Sequence, residues 1–161
     1  MKRAAIYFND KYIEIISWNY GGMSVFNLDF IPLVLKFDID NSTLGKSIKI
    51  ALDAGKKIPP ESVKDFLFSP ELDIFMKERT KKLIAEFGYK SKKTLFKNMR
   101  KVGVEFNENY TISPSHQDGL DYSFSGLSKA DEIILPCNAT DEERLCCINI
   151  QKLSSPQSIQ I

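Results

Sequence analysis

The sequence has little of what the familiar chemistries require. It contains one histidine and three cysteines in 161 residues. His116 lies in the polar stretch Ser-Pro-Ser-His-Gln-Asp-Gly, and a catalytic base needs further groups that hold it against a nucleophile. It therefore reads as a loop or partner-contacting residue. Cys146 and Cys147 are adjacent while Cys137 stands apart. That spacing is neither the Cys-x-x-Cys of zinc and dithiol sites nor a disulfide framework, and it fits a reducing compartment. A phosphate loop is missing too: Gly21 and Gly22 lack the following Lys-Ser/Thr and read as a chain turn. The alternating acids Asp38 and Asp40 lack the glycine and distal glutamate of a calcium loop, and read as the N-cap of a helix.

Long apolar runs are also absent. The longest candidate, residues 30–37, contains Pro32 and Lys36, and falls well short of the roughly 18 residues of a membrane span. The apolar stretch after Lys2 and Arg3 meets Asn9, Asp10 and Lys11 too early for a signal-peptide core. The expectation is a cytoplasmic, non-enzymatic protein with no cofactor, no metal and no membrane contact. Nor is there an excess of one charge: 22 Lys and Arg stand against 21 Asp and Glu, a net charge of +1. The sum points to neither nucleic acid nor lipid.

What is present is 43% hydrophobic and 11% aromatic content, enough for one core and too small a chain for two, so residues 1–161 read as a single domain. Residues 4–8 and 12–17 are β-branched and aromatic runs around Asn9-Asp10-Lys11, a hairpin pattern, and residues 33–37 suit a third strand. The period then changes. Leu44, Ile48, Ala51 and Leu52 share one helical face over residues 42–54, ended by Gly55. Pro60 opens a short helix to Phe68, and Ser69-Pro70 opens a longer one with the stripe Leu72, Phe75, Met76, Leu83, Ile84 and Phe87 before Gly88. Ser91 caps a helix expected to reach Arg100, burying Leu95, Phe96 and Met99.

Val102, Val104 and Phe106, then Tyr110 and Ile112 beyond Asn107-Glu108-Asn109, alternate as a second hairpin. Residues 113–126, rich in Ser, Pro, Asp and Gly, read as a loop in which Tyr122 and Phe124 could form a short strand. Residues 132–135 read as a strand, Thr140-x-x-Glu143 as a capping box for a helix over 141–153, and residues 154–161 as a mobile tail. The fold class predicted is α+β: a largely antiparallel sheet with hairpins near both ends and amphipathic helices packed against it.

Charge is segregated along the chain. Lys77, Arg79, Lys81, Lys82, Lys90, Lys92, Lys93, Lys97, Arg100 and Lys101 are opposed in residues 77–101 only by Glu78 and Glu86. Joined by Gly88-Tyr89-Lys90, these helices could act as a helix-turn-helix-like module on nucleic acid, or be a solvated surface whose long stems cover apolar neighbours. The solvated surface is the favoured reading, so no direct nucleic-acid partner is expected. Residues 105–143 reverse the sign, with Glu105, Glu108, Asp118, Asp121 and Glu132 among the acids against Lys129. A complementary protein surface would be drawn to such a segment.

The run 91–100, the segment Tyr110-Thr111-Ile112-Ser113-Pro114-Ser115-His116, and residues 130–136 followed by Asn138-Ala139-Thr140-Asp141-Glu142-Glu143 together resemble the CdiI-type immunity proteins of bacterial contact-dependent growth inhibition. The same motifs occur there in the same order, over about residues 91–145 here. The resemblance implies a small cytoplasmic monomer that binds, one to one, the C-terminal toxin domain of a secreted effector, often a nuclease. In some members a toxin β-hairpin extends the immunity protein's sheet. Expected contact residues are Glu105, Glu108, Asp118, Asp121, Tyr122, Phe124 and Glu132.

Overall fold

Strand β1, Lys2–Phe8, lies inside an antiparallel sheet because it is apolar on both sides. Ala4, Ile6 and Phe8 point one way, Ala5 and Tyr7 the other, and all five are buried. The computed structural model describes residues 1–117, 124–126 and 128–143. The expected first hairpin is present and longer than its apolar run: β2 spans Tyr12–Tyr20. Its turn is set by Asn9, whose Oδ1 accepts from the backbone N–H of Lys11 at 2.9 Å and of Tyr12 at 3.2 Å.

The other neighbour of β1 is β5, Arg100–Phe106, from the far end of the chain, and β5 pairs in turn with β6, Tyr110–Gln117. Each flank of the sheet is divided between two short strands. β3 (Ser24–Phe26) and β4 (Leu33–Lys36) share the outer edge of β2, while β7 (Phe124–Gly126) and β8 (Ile133–Leu135) share that of β6. The described sheet has eight strands, and every pairing between them is antiparallel.

Helices close both faces. α1, Asn41–Ala54, buries Leu44, Ile48, Ala51 and Leu52 against Ile6, Ile15 and Val104, as its periodicity predicts, and Asp40 accepts from Thr43 N–H at 2.9 Å as its cap. Full burial of each leucine or isoleucine contributes about 1.5–3 kcal/mol. α2 (Pro60–Leu67), α3 (Pro70–Phe87) and α4 (Lys92–Phe96) follow, and α3 and α4 lie on the opposite face, over Tyr7, Tyr12 and Ile16. Ser69 caps α3, and Gly88 ends it in the left-handed conformation at φ 67°. The capping box is also in place: Thr140 N–H donates to Glu143 Oε2 at 2.7 Å and Glu143 N–H to Thr140 Oγ1 at 3.2 Å.

Three expectations are corrected. Residues 113–117 are not loop but the second half of β6, because Ser113 and Ser115 are held in register by Gly103 and Lys101. Ladder hydrogen bonds outweigh the local turn preference of Ser and Pro. The helix after Ser91 stops at Phe96 rather than Arg100: Asn98 takes φ 62°, and Arg100 is already paired with Phe8. In α3 only Leu83 of the predicted stripe is fully buried, and the deeply buried residue beside it is Arg79. The expected helix beyond residue 143, the tail 154–161 and Cys146-Cys147 lie outside the described residues.

Candidate functional site

α3 and α4 cover only one end of their face of the sheet. At the other end the strands carry small or charged side chains, and a groove of about 250 Å³ opens to solvent. Its floor is Ala5 on β1 and Gly103 on β5, paired across the ladder, and its sides carry Arg3, Trp18, Lys101 and Glu105. The positions follow from strand parity, since Arg3, Ala5, Lys101, Gly103 and Glu105 alternate with the core residues Ala4, Val102 and Val104.

The groove's charges are unequally matched. Arg3 is tied down: its guanidinium donates to Ser24 Oγ at 2.6 Å, pairs with Glu105 Oε2 at 2.6 Å and lies 4.7 Å from the Tyr20 ring centre. Lys101 instead sits among rings, its Nζ 5.2 Å from Trp18, 5.8 Å from Tyr7 and 5.9 Å from Phe124, with no carboxylate within ion-pair distance among the described residues. Burial pulls its pKa below the ordinary lysine value, because removing an ammonium from water disfavours the charged form. Arg3 Nε and Trp18 Nε1 are shut off from water and have no acceptor. Buried donors without partners are uncommon and mark positions that call for explanation.

Several residues predicted from sequence meet here. Glu105 lines the groove; Phe124 packs edge-on to Tyr7 at 5.6 Å beside Lys101; Glu132 accepts from the groove residue Ser113 at 3.4 Å and is itself exposed. Glu108 is exposed at the β5–β6 turn, away from them. Asp118, Asp121 and Tyr122 lie outside the described residues. Glu105 is thus not a free acid on an acidic face but the counter-charge of Arg3. The residues missed were Arg3, Trp18, Lys101 and Gly103. Their signal was available once β1 and β5 are recognised as neighbours, but that adjacency spans almost the length of the chain.

The basic segment is also broken up. Arg79 is buried and paired with Glu14, the Arg100 guanidinium stacks 5.0 Å from the Phe8 ring centre, and Lys101 belongs to the groove. Lys77, Lys81, Lys82, Lys90, Lys92, Lys93 and Lys97 remain exposed. α4 has only five residues and buries Leu95 and Phe96 in the sheet, so it is not presented as a recognition helix. His116 is exposed on β6 opposite Ser125, on a strand rather than in a loop, and Cys137 is exposed. A second groove, about 240 Å³ and largely apolar, lies between the 28–34 segment and α3, with Phe30, Phe75 and Leu83 in its walls. Among the described residues no group of His, Cys, Asp and Glu could hold a metal ion, and no helix is long and apolar enough to cross a membrane.

Similarity to known proteins extends over the whole described fold. The chain is 31% identical over 120 residues to the immunity protein CdiI-YPIII of Yersinia pseudotuberculosis serotype O:3, spanning 66% of this chain and 68% of that protein. A solved protein of unknown function from Neisseria meningitidis superposes with a TM-score of 0.82 at 27% identity, over 92% of each chain. A chain from a CdiA-CT/CdiI toxin and immunity complex of Yersinia pseudotuberculosis shares the fold with a TM-score of 0.80 at 20% identity, over 92% of this chain and 94% of that one. The family model described as CDI immunity protein matches residues 2–144, from the first strand to the Thr140–Glu143 capping box, and the chain belongs to that family.

Proposed function

We propose that this chain is the cytoplasmic immunity protein of a contact-dependent growth inhibition system, which binds the C-terminal toxin domain of its effector and neutralises it. The observation that carries this reading is the family match across residues 2–144. It acts by occupying the toxin's surface, as a monomer in a one-to-one complex, with no reaction of its own. Stoichiometric binding suffices, because tight complexes can hold a toxin inactive for long residence times.

The toxin is a nuclease in this reading, and a β-hairpin of the toxin docks at a sheet edge. The described edge fits such a mode: β7 and β8 are three residues each, and no described strand pairs with their outer sides. Ile134 on β8 is 67% exposed, an apolar side chain at this described edge. An added strand gains ladder hydrogen bonds there, while side-chain pockets supply specificity.

The test is co-expression with the toxin domain encoded immediately upstream. The expected result is survival of the cells and co-purification of the two chains at one to one. Toxicity without a complex overturns the reading and brings the exposed lysines of α3 and α4, with nucleic acid as their partner, to the front.

A further inference from the structure

Gly103 has no backbone reason to be glycine. The described glycines with positive φ are Gly22 and Gly88, and a Cβ built at Gly103 meets nothing nearer than Ser113 O at 3.7 Å, an ordinary contact. A glycine between Val102 and Val104 in a paired strand forgoes side-chain packing and weakens the strand. What it does achieve is an open groove floor. A glycine inside a strand often marks the close approach of a ligand.

The chemistry of that ligand follows from the residues around the gap. Two cations, Arg3 and Lys101, face one carboxylate, Glu105, and Arg3 takes that carboxylate. Among the described residues Lys101 is left with ring faces alone, which return only part of the hydration it has lost. An anion is the complementary occupant. In an open groove a free small anion stays hydrated and gains little, whereas an acid carried on a docked protein is covered, and the attraction rises as water leaves. We propose that the groove seats an acidic side chain of the protein partner, with Lys101 as its counter-charge and Gly103 as the gap that admits it. The proposal rests on the immunity reading above and names one contact within it. The lowered pKa of Lys101 agrees, since the groove holds a desolvated cation that an acid would relieve. Trp18, the only tryptophan, lies against this cation and reports on its surroundings.

The experiment uses the isotope-labelled full chain and the toxin domain encoded beside it. The readouts are the Trp18 indole N–H resonance and the dissociation constants of wild type, Lys101→Met, Lys101→Glu, Gly103→Val and the exposed control Lys93→Met. The expected result is a shifted Trp18 resonance on binding, affinity weakened about tenfold or more by Lys101→Met and further by Lys101→Glu, and a loss of about a hundredfold for Gly103→Val. Lys93→Met leaves affinity unchanged, and the melting temperatures of Lys101→Met and Gly103→Val are at or above wild type, so lost binding is not lost folding. Wild-type affinity in both Lys101→Met and Gly103→Val, with Trp18 unmoved, overturns the seat while leaving the immunity function standing. A Trp18 shift reproduced by acetate or phosphate alone, with toxin affinity unchanged in the variants, also overturns it, because the site would then serve a free anion. A wild-type chain that does not bind the toxin domain removes both readings.

Discussion

Arg79 reaches down from α3 to clasp Glu14 on β2 with two parallel hydrogen bonds, Nε to Oε1 at 2.6 Å and NH2 to Oε2 at 2.5 Å. Both side chains are at most 4% exposed, and Arg79 also lies 5.0 Å from the Tyr7 ring centre. A charged pair thus occupies the middle of the interface between helix and sheet, where the amphipathic pattern of α3 would place a hydrophobe.

Breaking that pair from one side should be costly, because the charge left behind has neither water nor a partner. Arg79→Met or Glu14→Leu alone is expected to lower unfolding stability by about 3–5 kcal/mol. The double replacement should recover most of it, since an apolar pair of similar volume avoids the desolvation of both ions. Urea unfolding of the two single variants and the double variant checks this. Additive losses in the double variant would contradict the coupling.

A different dependence is expected at the start of α1, where Asp40 accepts from Thr43 N–H at 2.9 Å and Thr43 Oγ1 at 2.6 Å. These bonds, the side-chain one first, favour the carboxylate and lower its pKa from 3.8. The folded value lies below the unfolded one, so the stabilisation is fully present above the unfolded pKa and is lost as pH falls through the folded value. Urea midpoints followed from about pH 5 to 2 should decline, and Asp40→Asn, which keeps a capping acceptor that does not titrate, should remove part of that slope. An unchanged slope in the variant would place the acid sensitivity elsewhere.

Much of the fold was legible because its signals are local. The face Leu44-Ile48-Ala51-Leu52, the Ser69-Pro70 start and Gly88 stop of α3, and the Thr140–Glu143 box each depend on residues within a turn or two of one another. The groove was not legible because it is made by pairing: Ala5 meets Gly103 only through the β1–β5 ladder, and Trp18 reaches Lys101 only across β1. For the same reason Arg79 read as one more surface cation, since nothing nearby in sequence identifies Glu14 as its partner. The family-like motifs in the second half of the chain carried the function, whereas the charge pattern alone did not show that Glu105 pairs with Arg3.

The junction of α1 with the last described turn makes a further prediction. A Cβ at Gly45 would lie 2.6 Å from Asp141 Cβ and 3.2 Å from its Cα, so Gly45→Ala cannot be accommodated without moving that turn. The substitution also favours α1 itself by about 1 kcal/mol, because alanine is the better helix former. The two effects separate in hydrogen exchange. Protection is expected to hold in α1 and to fall around Ala139, which is 5% exposed at present. Unaltered protection at Ala139 would show that the two elements can slide apart freely.

Finally, the exposed acids Glu108 and Glu132 and the groove cation should act on different steps of partner binding. Glu108 is exposed in the β5–β6 turn, and Glu132 is exposed with only the 3.4 Å contact from Ser113. Charges so placed act mainly through the field that guides encounter, which salt screens within about 8 Å at physiological ionic strength. Glu108→Lys with Glu132→Lys is expected to slow association several-fold at low salt, with little effect on dissociation or melting temperature. Lys101→Met should do the reverse and speed dissociation, because a covered pair is lost only after contact. Stopped-flow association at two salt concentrations separates them. An association rate in the double variant equal to that of wild type at both salt concentrations would remove Glu108 and Glu132 from the docking surface.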